Sequence, residues 1–384
     1  MVNTVYSHTL GALVWGFEKH DSPFRRNPMK IGLIGMPNSG KTTIFNALTK
    51  SNAEVAAYSS GKVEPNLAVV EVEDPRIPVL SEMYKPKKTI YATIDFIDFV
   101  GLSAGAAREG LWSGESMNLI KTADALAIVA RNFPDPVSGD PPNPVAEVQD
   151  LAAELLLSDQ IVAETRLERI RSDFQRGRKT PETQAEEKAL TKIATHLDEG
   201  LPLRLLELNP DERRILGGFQ FMTNKPVMVI INSAEDTYGQ GGKNSTELGD
   251  EWDAIEFAGE FEMELAGLDD EDAELFMADM GIEESARSRL TTFAYRMLGY
   301  ISFFTVGDDE VRAWSIRKNS DAVTAAGAIH SDLARGFIRA EVFTYDDLMA
   351  CGSEKGIKEK GLLRVEGKSY IVQDGDILNI RFSV

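Results

Sequence analysis

The chain has 384 residues, room for two or three domains that each bury a core; 43% of residues are hydrophobic and 27% charged, which excludes a disordered chain. A formal net charge of −20 repels nucleic acid over most of the surface, so any RNA contact needs a local basic patch. The single cysteine, Cys351, excludes an intrachain disulfide framework or a Cys-based zinc site, which suits a reducing cytoplasm, and no apolar run is long enough to span a bilayer.

Residues 1–28 carry a short apolar run (10–17) followed by Lys19, Arg25 and Arg26, with no small-residue cleavage site. They read as a poorly ordered extension, or as sequence ahead of a start at Met29, rather than as a signal peptide. Residues 29–34 (M-K-I-G-L-I) form a buried-strand pattern, and residues 43–50 place Ile44, Ala47 and Leu48 on one helix face. Between them, Gly35-Met36-Pro37-Asn38-Ser39-Gly40-Lys41-Thr42 satisfies G-x-x-x-x-G-K-[ST] in the strand–loop–helix context that this motif requires. The two glycines let backbone N–H groups turn inward on phosphate, Lys41 can reach the β- and γ-phosphates, and the Thr42 hydroxyl can ligate Mg²⁺.

Residues 51–66 are small and polar, in the position of a nucleotide-sensing loop. Residues 67–72 read as a strand, Asp74-Pro75-Arg76 as a turn, and residues 89–96 as one further strand leading into Asp98-Phe99-Val100-Gly101. This D-x-x-G lies at a strand end downstream of a phosphate loop. Asp98 can therefore hold a water on Mg²⁺, and the Gly101 N–H can meet a γ-phosphate. Glycines at 101, 105, 110 and 114 suit a segment that orders on that phosphate. Residues 124–130 are the next strand, and the Pro-rich stretch 133–144 marks a boundary.

Helical spacing then runs from Val148 through Ile170, breaks at Gly177 and Pro181, and resumes over 182–197, with a third helical run at 210–215. Two antiparallel helices inserted in the NTPase unit are expected. Arg166, Arg169, Arg171, Arg176, Arg178 and Lys179 near their turn are either a solvated tip or the RNA-facing patch that an acidic protein would need. Residues 226–231 return to a buried strand that ends at Asn232-Ser233-Ala234-Glu235. GTPases of this architecture carry N-K-x-D there, with the Asp accepting from guanine N1–H and N2–H₂. Ser233 and Glu235 replace the Lys and Asp, while the Asn232 carboxamide can both donate to and accept from a base. Residues 254–259 suit a last sheet strand and a base-side loop, and 270–280 and 285–298 suit helices.

From about residue 301 a smaller unit begins. Strands are expected at 301–306, 311–316, 337–344, 361–365, 369–372 and 377–382, with one helix over 322–334; this pattern suggests a β-grasp. His330 in that helix reads as packed or solvated rather than as a ligand.

On these residues the chain resembles the YchF subfamily of the Obg-like P-loop NTPases. The resemblance runs from residue 29 to 384 and rests on residues 35–43, Glu64-Pro65-Asn66, 98–106, 232–235, 311–316, 336–340 and 370–375. It implies an α/β protein in three parts. A Ras-like P-loop NTPase domain takes residues 29–140 and 219–300, a helical coiled-coil hairpin is inserted at 141–218, and a TGS domain of β-grasp fold takes 301–384. It also implies a preference for ATP over GTP, Mg²⁺ as cofactor, and association with ribosomes or rRNA through the hairpin tip and the TGS domain. Carried over position by position, it assigns phosphate binding to Asn38, Ser39, Gly40, Lys41, Thr42 and Thr43, with Gly101 beside them. Base recognition falls to Asn232, the Ser233 backbone and Glu235, and metal binding to Thr42 and, through water, Asp98. Leu102 stands where small GTPases place a water-orienting Gln, so no catalytic residue is assigned. Lys62 replaces a metal-ligating Thr of the family, and the chain has no His between His20 and His196 where some members use one.

The expectation is a cytoplasmic, monomeric, slowly hydrolysing ATPase switch. The alternatives are a nucleotide-gated binding module with negligible hydrolysis, and a GTPase translation factor.

Overall fold

The computed structural model describes residues 29–49, 66–99, 120–239, 247–249, 252–268, 270–279 and 284–383. The extension at 1–28, Lys62, the glycine-rich stretch that begins at Gly101, and Leu102 lie outside the described residues.

The fold is α/β and, among the described residues, has two six-stranded sheets. The first contains β1 (Met29–Gly35), β2 (Asn66–Val72), β4 (Ala92–Asp98), β5 (Ala125–Asn132), β6 (Val227–Ser233) and β7 (Asp253–Phe257), in the order β2-β4-β1-β5-β6-β7. Every pairing is parallel except β2 with β4. The near-continuous apolar runs of β1, β5 and β6 have this cause, because a parallel sheet is covered on both faces. Helix α1 (Lys41–Thr49) leaves the end of β1 and buries Ile44, Phe45, Ala47 and Leu48. The order of the sheet puts the loop after β1 between the ends of β4 and β5, the position where ligands meet such sheets.

Between β5 and β6 runs a helical hairpin. Helix α3 (Pro144–Gln175) has 32 residues and would extend about 48 Å at 1.5 Å per residue; α4 (Pro181–Asp198) returns against it, and α5 (Pro210–Leu216) follows. All three start in the same way. Asn143, Thr180 and Asn209 accept from backbone N–H groups of their first turns, and a proline stands at the next position, where its missing N–H costs nothing. The outer part of the hairpin has a core of its own (Ala163, Leu167, Ile170, Ala189, Leu190, Ile193), whereas Val148, Leu151 and Leu155 at the root pack with the first sheet.

The second sheet has the order β11-β10-β12-β8-β9-β3. Strands β8 (Tyr300–Thr305) and β9 (Glu310–Arg317) form a hairpin, and β8 pairs in parallel with β12 (Asp376–Phe382). Strand β12 pairs antiparallel with β10 (Phe337–Thr344), and β10 pairs with β11 (Arg364–Glu366). This is the mixed order of a β-grasp. Helices α6 (Gly259–Ala266), α7 (Asp270–Asp279) and α8 (Ala286–Met297) precede this sheet, and one of its faces packs on α9 (Ala322–Ile329) through Phe303, Trp314 and Ile316. The other carries Phe304, Val311, Ala313, Phe343 and Ile377 into the same core as Ile31, Leu33, Ile44 and Phe96 of the first sheet.

Several local expectations change. Residues 89–96 are two strands: β3 (Lys88–Ile90) pairs in parallel with β9 of the second sheet, and after Tyr91 the chain crosses to β4 of the first. The alternation of apolar residues continues through the crossing, so periodicity cannot show it. Helix α2 (Arg76–Tyr84), to which sequence patterning assigns no element, follows the Asp74-Pro75 turn and buries Ile77 and Leu80. Residues 322–334 are two helices, α9 and α10 (Ser331–Arg335), because His330 is extended (φ −162°) and its Nδ1 caps the second by accepting from the Asp332 N–H. His330 is therefore a structural cap. Residues 369–372 make one bridge, Ile371 with Asp321, rather than a strand.

Candidate nucleotide site

The loop from β1 to α1 is shaped by two left-handed residues, Asn38 (φ 62°) and Gly40 (φ 81°). Glycine is required twice by close approach. A Cβ on Gly35 would stand 2.5 Å from the Val129 carbonyl oxygen, and one on Gly40 would stand 2.2 Å from Asn232 Nδ2. The loop is thus pressed against the ends of β5 and β6 and leads into the N-terminus of α1, the arrangement that attracts phosphate.

Lys41 is folded over the loop and donates from Nζ to the carbonyls of Gly35 (2.8 Å) and Met36 (2.9 Å). Burial pulls its pKa down to about 8, opposed by the fields of Asp98 and Glu147. Asp98 is fully buried at the end of β4. Its Oδ2 accepts from the Thr42 hydroxyl (3.0 Å) and from Asn66 Nδ2 (3.4 Å), whereas Oδ1 has no partner among the described residues. Ser39 is also buried, with an unpartnered Oγ among the described residues. Thr43 sits half-buried in the first turn of α1, and Asn38 is exposed, with Nδ2 directed at Asp135 (3.5 Å).

The base-side residues separate into three roles. Asn232 is buried and clamped: Nδ2 donates to the Ser39 carbonyl (3.0 Å), and Oδ1 accepts from the Gly259 N–H (3.1 Å). One amide hydrogen and one acceptor lone pair of that carboxamide remain beyond these bonds. The Ser233 hydroxyl is drawn sideways, donating to Glu256 Oε1 (2.6 Å) and accepting from Asn132 Nδ2 (2.9 Å), so only its main chain is left for a base. Glu235 is exposed on the turn after β6, and it does not stand with Asn232 in the clamp.

The structure thus brings Lys41, Thr42, Asp98, Ser39 and Asn232 together, leaves Glu235 at the rim, and does not describe Gly101. Sequence reasoning gave no site role to Asn132 or Glu256, and it named Asn66 only within the Glu64-Pro65-Asn66 motif and Gly259 only within a base-side loop. Gly259 carried a signal, as the small residue after the last strand, and a Cβ there would stand 2.6 Å from Asn232 Oδ1. The other three are polar residues at strand positions, and sequence gives no indication of where they face. The basic turn of the hairpin is also revised in one member. Arg166 makes a bidentate pair with Glu186 (2.7 and 2.8 Å) and holds α3 to α4, while Arg169, Arg171, Arg176, Arg178 and Lys179 are exposed.

Comparisons with known proteins agree with this architecture. Residues 30–164 match the family model described as "50S ribosome-binding GTPase", and residues 300–383 match the YchF-GTPase_C model, whose description is "Protein of unknown function". The chain is 36% identical over 365 residues to the ribosome-binding ATPase YchF of Bacillus subtilis, covering 92% of this chain and 99% of that protein. It is 38% identical over 364 residues to the protein of the same name from Pasteurella multocida, with the same coverage. The solved structure of the Schizosaccharomyces pombe YchF GTPase superposes with a TM-score of 0.77 at 30% identity, covering 92% of this chain and 98% of that one.

Proposed function

This chain belongs to the YchF family of P-loop NTPases, and from that premise we propose that it binds ATP with Mg²⁺, hydrolyses it slowly, and uses the bound state to govern association with the ribosome. The observation that carries the ATP reading is the base side. Guanine recognition needs a carboxylate facing N1–H and N2–H₂. Here the carboxylate of Glu235 is exposed at the rim, and the Ser233 hydroxyl is held away by Asn132 and Glu256. What remains is the spare capacity of the Asn232 carboxamide and backbone groups, which fits the donor–acceptor edge of adenine.

The residues present fit a divalent cation. A fully buried aspartate with one oxygen unpartnered among the described residues, next to a threonine hydroxyl at the head of a phosphate loop, supplies hard oxygen donors and negative charge. Thr42 would hold Mg²⁺ directly and Asp98 through water; when bound, the ion neutralises charge that develops on the phosphates. Lys41 supplies the second positive charge. Exchanging its bonds to two loop carbonyls for bonds to phosphate oxygens strengthens them, because the acceptors become ionic. The Asn232 clamp fixes the loop to the base-recognition strand, so binding of the base and of the phosphates are mechanically joined. Slow turnover follows from Leu102, which cannot orient a water, and from Lys62, which cannot ligate the metal.

The relatives' printed names supply the ribosome, and the exposed cations of the hairpin turn are a surface on this acidic chain that suits phosphate backbone. Titration of the purified protein with ATP and with GTP, with and without ribosomes, tests the proposal. ATP should bind more tightly than GTP, and ribosome co-sedimentation should change with the nucleotide. Tighter binding of GTP would overturn the base argument.

A further inference from the structure

A cavity of about 760 Å³ lies at the root of the hairpin, by the opposite end of the first sheet from the phosphate loop. Lys30, near the start of β1, lines it; the loop lies beyond the end of that strand, about 20 Å away at 3.3 Å per residue. Its volume falls within the range of sites for small organic ligands. One wall is apolar, with half-buried Leu206 and Leu208 at its surface and the buried Ile193 of α4, Leu203, and Leu216 of α5 behind them. The remainder carries five cations, Lys30, Lys121, Arg204, Arg213 and Lys225, against one acid, Asp124. Such a concentration is unexpected on a chain of net charge −20.

Three carboxylates act on these cations, Asp95 on Lys30, Asp159 on Lys121 and Lys225, and Asp124 on Lys225, so five positive charges face three negative ones. Lys225 is half-buried and donates to the carbonyls of Lys121 and Ala123, and Arg213 Nε donates to the Leu208 carbonyl (2.9 Å). Carbonyls position a cation without neutralising it. Asp124, whose Oδ2 accepts from the Lys30 backbone N–H (2.9 Å), keeps its negative charge, and its field acts on Lys225. The nearby Asp159 accepts from the Met222 and Thr223 N–H groups and from the Thr223 hydroxyl, although its field still reaches Lys225. Among the described residues, Lys121, Arg213 and Lys225 make no ion pair. A concave surface with an apolar wall and more cations than carboxylates is complementary to a molecule with an apolar body and an anionic head.

We propose that this cavity is a second ligand site, distinct from the nucleotide site, for a small phosphorylated molecule with an apolar or aromatic body. Its walls come from both the hairpin (Ile193, Leu208, Arg213) and the strand starts of the first sheet (Lys30, Asp124, Lys225), so the ligand bridges the two.

Calorimetric titration of the full chain with 1-naphthyl phosphate, with the nucleotide site filled by saturating Mg²⁺ and ADP, tests this. Saturable binding is expected, with inorganic phosphate (no body) and 1-naphthol (no anion) each about tenfold weaker or more. The double variant Lys121→Gln, Arg213→Gln should lose about tenfold in affinity while keeping the wild-type melting temperature and ADP affinity. Arg213→Gln alone, on an exposed side chain, should show a smaller loss in the same direction. Bound probe should also slow amide exchange in α5 and around Asn224. Absence of saturable binding, binding that ADP displaces, or equal affinity for wild type and the double variant would each overturn the proposal.

Discussion

The second sheet and the helical hairpin both extend from the P-loop sheet, and they are attached in opposite ways. The second sheet shares one continuous core with the first, through Phe304, Val311, Phe343 and Ile377 against Ile31, Leu33 and Phe96, and it takes β3 from the segment between α2 and β4. Polar contacts add to the junction. Arg76 bonds Asp74 and Asp374 and lies over the Phe304 ring at 4.8 Å, Asp374 accepts from the Ser302 N–H, and the Tyr84 hydroxyl donates to Glu354. The outer hairpin instead has its own core and meets the first sheet only at its root. Sharing a core makes two units fold and melt together, whereas separate cores can open separately. Nucleotide binding should therefore be felt throughout both sheets, while the hairpin reports on its tip independently.

The most severe way to test this difference is to remove a shared side chain. Phe304→Ala opens a cavity between the sheets and should cost about 3–5 kcal/mol. In amide exchange, protection should fall in both β1 and β12 and remain in the outer hairpin. Loss of protection confined to the second sheet would break the shared-core account.

At the hairpin root the corresponding element is Asp159, which is 2% exposed and accepts three hydrogen bonds from Met222 and Thr223. Asp159→Ala leaves those donors buried and unsatisfied, at a cost of about 2–3 kcal/mol. Exchange should accelerate in α3 and around residue 222, with β8 and β12 unchanged. Acceleration in the second sheet would show that the two attachments are not independent.

Lys41→Ala sharpens the comparison from the ligand side. It removes a charge-assisted contact of about 1.5–3 kcal/mol, so ATP affinity should fall roughly tenfold or more. In wild type, saturating ATP and Mg²⁺ should slow exchange in both sheets but not at residues 169–185, and in the variant this protection should require correspondingly more ATP.

The smallest effect on stability is expected at the turn. Reversing Arg169, Arg171, Arg176 and Arg178 to Glu should change stability by no more than about 0.5 kcal/mol, because the side chains are exposed. Ribosome co-sedimentation should weaken and its salt dependence flatten as fewer counterions are released, with ATP affinity unchanged. Equal co-sedimentation at several salt concentrations would reduce the cluster to a solvated turn.

Much of this molecule is legible in its sequence where chemistry and periodicity coincide. The phosphate loop is fixed by residue types that the backbone demands, glycine at 35 and 40 above all, and the hairpin is marked by long helical spacing that breaks at Gly177 and Pro181 and then resumes. The β-grasp strands were readable in outline. What sequence hid were events that leave the pattern intact. Strand β3 changes sheets one residue before β4 starts, within an unbroken run of strand-forming residues. Helix α2 has only Ile77 and Leu80 buried, too weak a stripe to stand out. His330 divides a helix by capping, a role that a list of residue types cannot separate from a surface position. At the site, the Asn232 clamp joins Ser39 and Gly259 across 193 and 27 residues of chain, a distance at which local pattern carries no information.

The selection of ATP by a nucleotide site with the Asn232 clamp, and with no guanine-facing carboxylate among the described residues, is the proposal on which the rest depends. It is tested most directly by measuring equilibrium affinities for ATP and GTP with Mg²⁺ on the wild type and on Asn232→Ala. ATP should bind more tightly than GTP to the wild type. The variant, which loses both the clamp and the remaining base contact, should lose about 1–2 kcal/mol for ATP. Equal or tighter binding of GTP by the wild type, or an ATP affinity indifferent to Asn232, would contradict the account.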